Sequence, residues 1–293
     1  MSFQSGFVSI IGKPNVGKST LLNALLGEKL SIISEKVQTT RHRIKGILNK
    51  PEYQIVFSDT PGIINPKYKL QGNMMKFVNE SLQDADLVVF MCDFDVRNEE
   101  EQLFERLKLV KMPMICILNK IDGVSQEQLD AKLAFWNEMK LFKEIIPISA
   151  LNKFNIENLL KSIITYLPEG APYYEQDQLT DKSERFVASE IIREKIMVRY
   201  KEEIPYSVQV EIELFKEEKD IIHIHALIYV MRDSQKVIII GKGGVALKNV
   251  GIAARRDLEL FFKKKIFLKT FVKVKEDWRD NSKTLREFGY EGD

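Results

Sequence analysis

At 293 residues and 44% hydrophobic content, the chain is long enough for two ordinary domains, each with its own core. Its 44 basic and 42 acidic side chains nearly cancel, and its two cysteines, Cys92 and Cys116, lie in apolar strand candidates without metal-ligand spacing. That excludes a disulfide scaffold or a zinc site and points to buried thiols in a reducing cytosol. No apolar run approaches the roughly 20 residues that span a bilayer, and no charged-then-apolar leader opens the chain, so membrane contact is expected only at the periphery.

Phe7-Val-Ser-Ile-Ile11 is a short β-branched run, and Ser19-Thr-Leu-Leu-Asn-Ala-Leu-Leu26 has helical spacing. Between them Gly12, Lys13, Pro14, Asn15, Val16, Gly17, Lys18 and Ser19 fit G-x-x-x-x-G-K-[ST]. Gly12 and Gly17 let backbone N–H groups wrap phosphates without a Cβ clash, and the helix N-terminus adds partial positive charge. Lys18 reaches the β and γ phosphates, and Ser19 is left to hold Mg²⁺.

Thr40 follows in the next segment as a direct ligand to the metal, with Thr39 as its alternative. Ile44 to Leu48 and Tyr53 to Phe57, joined by Asn49-Lys-Pro-Glu52, are expected to form an antiparallel pair at the sheet edge. After that pair come Asp59, Thr60, Pro61 and Gly62. An acid at a strand end suits control of Mg²⁺ through water, and Gly62 supplies a hinge whose N–H can sense the γ phosphate. Ile63 and Ile64 stand where Ras-like proteins place a water-orienting glutamine, so that hydrolytic group must come from elsewhere.

Asp86 to Cys92 and Met114 to Leu118 read as buried strands, and Asn119, Lys120, Ile121 and Asp122 sit at the end of the second. Ligands bind at that edge of a parallel sheet. Asp122 can accept from guanine N1–H and its exocyclic amine, a pattern adenine does not offer, which favours GTP over ATP. Ser149 and Ala150, after Ile145-Ile-Pro-Ile148, add a backbone contact to the base pocket. Alternating strands and helices to residue 168 imply an α/β P-loop GTPase domain, a mostly parallel sheet with helices on both faces. Its last helix, Leu159 to Leu167, ends at Pro168, and residues 169–181 read as a linker.

Residues 182–293 read as an α+β domain: a helix from about Ser183 to Tyr200, strands at Ser207 to Leu214 and Ile221 to Val230, a glycine loop, a helix and a strand at Ile266 to Val274. The loop, Ile240 followed by Gly241, Lys242, Gly243 and Gly244, suits the G-x-x-G element of a type II KH domain, which clamps the backbone of single-stranded RNA. Between Arg232 and Lys275 twelve Lys or Arg face three Asp or Glu, a local charge of +9 in a chain of net +2. From the loop onward Lys242, Lys248, Arg255 and Arg256 stand at spacings that can place several along one groove, whereas Lys263-Lys264-Lys265 reads as a solvated face.

The phosphate loop, Gln38-Thr-Thr-Arg-His-Arg43, Asp59-Thr-Pro-Gly62, Asn119-Lys-Ile-Asp122, Ser189-Glu-Ile-Ile-Arg-Glu-Lys195, Pro205-Tyr-Ser-Val208, Ile240-Gly-Lys-Gly-Gly244, Trp278-Arg-Asp and Leu285-Arg-Glu-Phe-Gly-Tyr290 together resemble the Era family of bacterial GTPases with a C-terminal KH domain. The resemblance spans nearly the whole chain. It implies an assembly factor controlled by GTP and GDP, which binds the 3′ end of 16S ribosomal RNA and assists maturation of the small (30S) subunit. It also implies a cytoplasmic location with some attachment at the inner membrane face, and K⁺ beside Mg²⁺, held with the help of Asn15. Read from the residues alone, Asn15 can instead merely stabilise the turn. Two other classes fit parts of the chain: a nucleotide-independent RNA adaptor, and a membrane-associated GTPase.

Overall fold

The structure is a computed structural model and describes residues 2–94 and 101–290. By internal contacts the chain divides into two compact units. The first takes in Met1–Ser31, Thr40–Asn65 and Met74–Asp181; the second takes in Ile32–Thr39, Pro66–Asn73 and Lys182–Asp293. The division thus departs from the boundaries drawn on the sequence, because two short segments of the N-terminal half pack with the C-terminal half.

In the N-terminal half the elements are β1 (Gln4–Gly12), α1 (Lys18–Leu26), β2 (Ile44–Asn49), β3 (Tyr53–Asp59), α2 (Lys69–Gln83), β4 (Leu87–Asp93), α3 (Glu101–Lys108), β5 (Met114–Asn119), α4 (Gln126–Glu138), β6 (Glu144–Pro147) and α5 (Ile156–Thr165). The sheet runs β2-β3-β1-β4-β5-β6, parallel throughout except for the antiparallel edge pair β2–β3. Strands covered on both faces need continuous apolar runs, and Val8, Ile10, Val88, Phe90, Ile115 and Ile117 are all essentially inaccessible. Because β1, β3, β5 and β6 are parallel, Gly12, Asp59, Asn119 and the turn at Ser149 emerge at one sheet edge.

Residues 169–181 are fastened to this unit. Gln54 accepts from the Tyr173 and Tyr174 N–H groups at 2.7 and 3.0 Å, and Thr180 Oγ1 donates to the Lys45 carbonyl at 2.6 Å. Their turn-rich composition marks a chain without regular structure, but its polar groups are satisfied along the edge of the sheet.

The C-terminal half contains α6 (Glu184–Arg199), α7 (Ile204–Ser207), β7 (Gln209–Glu217), β8 (Ile221–Val230), α8 (Asp233–Ile240), α9 (Val245–Phe262), β9 (Lys265–Val274) and α10 (Ser282–Glu287). β8 is central, antiparallel to β7 and parallel to β9. The structure corrects one sequence expectation and adds an element. The strand expected from Ser207 begins at Gln209, since Ser207 ends a helical turn with Pro205 in its first turn. The apolar run Val237-Ile-Ile-Ile240 ahead of the glycine loop is the end of helix α8, an element beyond those read from the sequence. Such a short run carries no periodicity of its own, and only its neighbours decide it.

Within the second unit α6 holds the segment Ile32–Thr39. Glu194 accepts from the Ile33 N–H at 3.0 Å, and Arg193 donates to the Thr39 carbonyl at 2.5 Å while Glu190 binds its guanidinium at 2.5 and 2.7 Å. All three charged side chains are buried. Glu190 and Arg193 pair at 2.5 Å and Glu194 pairs with Lys195 at 2.7 Å, which offsets a desolvation cost that none of these charges could meet alone.

Candidate functional site

The turn from β1 into α1 is shaped by close approach. A Cβ on Gly12 would lie 2.1 Å from the Met91 carbonyl oxygen, and one on Gly17 would lie 2.4 Å from Asn119 Nδ2; both glycines have positive φ, 153° and 105°. Asn15 adopts the left-handed conformation at φ 64°. Lys18 crosses the mouth of this turn, its ammonium donating to the Gly12 and Lys13 carbonyls at 3.2 and 2.8 Å. Burial pushes its pKa down to about 8, with the nearby Asp59 carboxylate acting in the opposite direction. A buried cation whose partners are neutral carbonyls is a site prepared for anionic oxygen.

Beside it three oxygen-bearing side chains converge. Ser19 Oγ donates to Asp59 Oδ2 at 2.7 Å and lies 2.9 Å from Thr40 Oγ1, which is 3.4 Å from the same carboxylate. Asp59 is fully buried, and burial raises its pKa against the pull of Lys18 and its hydroxyl partners. Asp59 Oδ1 has no hydrogen-bond partner. Two hydroxyls and one carboxylate whose Oδ1 is left unpartnered form the hard-oxygen donor set that Mg²⁺ prefers. The residues therefore fit the ion. Thr39, the alternative ligand, instead donates to the Lys36 carbonyl at 2.6 Å.

Gly62 abuts the phosphate loop: a Cβ there would stand 2.5 Å from Pro14 N, and the next residue, Ile63, donates its N–H to the Gly12 carbonyl at 3.0 Å. Thr60 is tied to the Ile10 carbonyl at 2.8 Å, leaving Pro61 between two anchored residues. Ile63 carries no group able to orient water.

At the end of β5, Asn119 is buried and clasps two backbones. Its Nδ2 donates to the Val16 carbonyl at 2.7 Å, and its Oδ1 accepts from the Ala150 N–H at 3.0 Å. Asp122 lies at the rim of an open cleft of about 900 Å³ whose lining includes Ile121, Ser149, Asn152, Lys153 and Phe154. Lys120 pairs with Asp93 at 3.3 Å. Sequence reasoning missed Asn152, whose amide donates to Asp122 Oδ1 and whose N–H is held by Ser149 Oγ at 3.1 Å. A serine three residues before an asparagine signals a turn, but not which side chain the asparagine meets.

In the second unit Gly241, Gly243 and Gly244 all have positive φ, and nothing lies within 4 Å of a Cβ built on Gly243 or Gly244. The loop thus presents bare backbone to an open side. Next to it α9 and β9 form a cleft of about 540 Å³ that Lys248, Arg255, Arg256, Ile252, Leu268 and Thr270 help to line. Of the four cations expected along one groove, Lys248, Arg255 and Arg256 line this cleft, with Arg255 engaged by Glu259 at 3.2 Å, and Lys242 does not. Ile240 ends α8 just ahead of the loop, and Lys242 lies within it.

A family model for 50S ribosome-binding GTPases matches residues 7–120, and one for KH domains matches residues 203–279. GTPase Era of Alkaliphilus metalliredigens (strain QYMF) is 46% identical over 295 residues, covering 99% of this chain and all of the relative. The chain belongs to the Era family of GTPases. Two solved Era structures match its fold over 99% of this chain and all of theirs, each at 42% identity. One, in complex with MgGDPNP and nucleotides 1506–1542 of 16S ribosomal RNA, has a TM-score of 0.94; the other, a variant of Aquifex aeolicus Era bound to GDP·AlF4⁻, has 0.95. As an Era GTPase the chain combines a P-loop domain with a KH domain, the α/β and α+β architecture expected of it.

Proposed function

We propose that this protein is a GTP-controlled assembly factor of the small ribosomal subunit, which hydrolyses GTP in its P-loop unit and holds the 3′ end of 16S ribosomal RNA in the α9–β9 cleft. The observation that carries the reading is the bare, open Gly243–Gly244 backbone beside a cleft lined by Lys248, Arg255 and Arg256. The Era complex with 16S nucleotides supports the choice of RNA.

In the nucleotide site Lys18 and the loop N–H groups bind the phosphates, Asp122 reads guanine, and Ser149 and Ala150 close the base pocket. Ser19 and Thr40 would hold Mg²⁺ directly and Asp59 through water, and the ion would supply charge neutralisation at the phosphates. The Gly62 N–H faces the γ phosphate. With Ile63 unable to position water, Asn15 would help to hold a potassium ion, which would supply positive charge beside the phosphates. The reading includes a cytoplasmic location with some peripheral attachment at the inner membrane face. No single helix among the described residues is long and apolar enough to cross a membrane.

The test is photocrosslinking of RNA carrying the 16S 3′ sequence to the full chain, loaded with GDPNP or GDP. Crosslinks are expected within residues 240–256 and to differ between the two nucleotides. Replacing Lys242 and Gly243 by Asp should abolish them while GTP affinity stays unchanged. Full RNA affinity in that double variant would move the binding surface away from the loop and overturn the reading.

A further inference from the structure

One face of β9 follows a pattern that neither the nucleotide site nor the cleft uses. Lys265, Phe267, Lys269, Phe271 and Lys273 alternate along the strand, and all five are exposed. Phe267 and Phe271 keep 42% and 46% of their surface in water. The opposite face of the same strand carries Ile266 and Val272 into the core and Leu268 and Thr270 into the cleft. Across the sheet, His223 and His225 of β8 sit beside the two rings at centroid distances of 5.3 and 6.4 Å, and Lys269 lies over Phe267 at 5.4 Å. None of Lys265, Lys269 and Lys273 is in an ion pair among the described residues.

Lysines alone would be ordinary here, since β9 is an edge strand and charge protects edges from pairing with other chains. Cross-strand ring pairs alone would stabilise the sheet. The combination fits neither purpose, because a protected edge does not interleave its charges with half-exposed phenyl rings. Flat π faces spaced by cations match a polyanion that carries flat bases. A bilayer calls for contiguous apolar surface, which the lysines interrupt, and an acidic peptide would leave the rings unused.

From this we infer that the outer face of β9 is a second single-stranded RNA platform, on which Phe267 and Phe271 each stack a base while Lys265, Lys269 and Lys273 meet the phosphates. The rings stand about 13 Å apart, four residues along a strand, so each takes its own base. An RNA strand leaving the cleft at Leu268 and Thr270 reaches this face by passing over one edge strand. The length dependence rests on the cleft reading above; the platform itself does not.

The experiment measures full-chain affinity by fluorescence anisotropy for an RNA of about four nucleotides, the length a KH loop clamps, and for one roughly three times longer. Phe267→Leu with Phe271→Leu keeps bulk and strand propensity but removes the π face. The longer RNA should then bind on the order of tenfold more weakly per ring, while binding of the short RNA and GTP turnover stay unchanged. Phe267→Tyr with Phe271→Tyr should restore affinity. Changing the three lysines to Ala should flatten the slope of log affinity against log salt by about 2. The inference is overturned if the Leu pair leaves the longer RNA unaffected, if the Leu and Tyr pairs lose affinity equally, or if these changes abolish binding to anionic phosphatidylserine vesicles and spare RNA. Failure of the unmodified chain to bind the short RNA would instead count against the cleft, and the Leu pair would still decide the platform on the longer RNA.

Discussion

Asn119 Nδ2 donates to the Val16 carbonyl at 2.7 Å, so the residue that opens the base-reading motif is spent on holding the phosphate loop. Its other amide atom accepts from Ala150, which joins the two ends of the nucleotide site through one buried side chain.

Asn119→Ala should therefore weaken nucleotides without regard to their base. It leaves the Val16 carbonyl and the Ala150 N–H buried and unpaired, each costing ~1–3 kcal/mol. Equilibrium titration should show GTP, ITP and XTP losing affinity by the same factor, on the order of tenfold or more, with a lower melting temperature for the nucleotide-free protein. A loss confined to GTP would make Asn119 a base reader after all.

Asp122→Asn should act on the base alone. Two hydrogen bonds from guanine to a carboxylate, at ~1.5–3 kcal/mol each, set a loss of roughly 10²- to 10⁴-fold for GTP, and the new amide can donate to the extra carbonyl of xanthine. Asn152, whose amide donates to the same carboxylate, should show a smaller effect in the same direction when changed to Ala. Competition between GTP and XTP reads both.

Gly62→Ala tests the contact between the Asp59–Gly62 segment and the phosphate loop. A methyl group 2.5 Å from Pro14 N cannot be accommodated without moving one backbone off the other, and the Ile63 to Gly12 hydrogen bond goes with it. GDP affinity should change only a few-fold, whereas single-turnover GTP hydrolysis should fall on the order of 10- to 100-fold, as expected for a displacement of about 1 Å near reacting atoms. Equal turnover in the variant and the parent would remove this segment from the hydrolytic step.

Potassium should raise GTP turnover well above the rate in sodium, because a cation in place of an arginine finger substitutes for an effect on the order of 10³ to 10⁵. Asn15→Gly is the informative change. At φ 64° glycine adds no strain, so it isolates the loss of the side chain from the left-handed penalty that alanine would bring. The variant should turn over equally in both salts, and a parent protein indifferent to the salt would end the potassium proposal.

What the sequence determined by itself was everything written in short spans of chain. Strand, glycine turn and helix around Lys18, the acid after β3, the polar turn after β5 and the glycine loop before α9 all follow from periodicity and from which residues tolerate positive φ. Even the alternation of Lys and Phe along β9 was present there as a period of two. The tertiary structure decided which of these spans meet. Asn119 and Val16 are 103 positions apart, and Arg193 and Thr39 are 154 apart. It also decided that Val237 to Ile240 end a helix, that residues 169–181 lie along a sheet edge, and that one face of β9 lines the cleft while the other meets solvent. Local preferences act over a turn or a few strand residues. Partners chosen across a hundred or more positions are set by parallel strand order and by the need to satisfy each buried polar group, and neither is encoded next to the residue it governs.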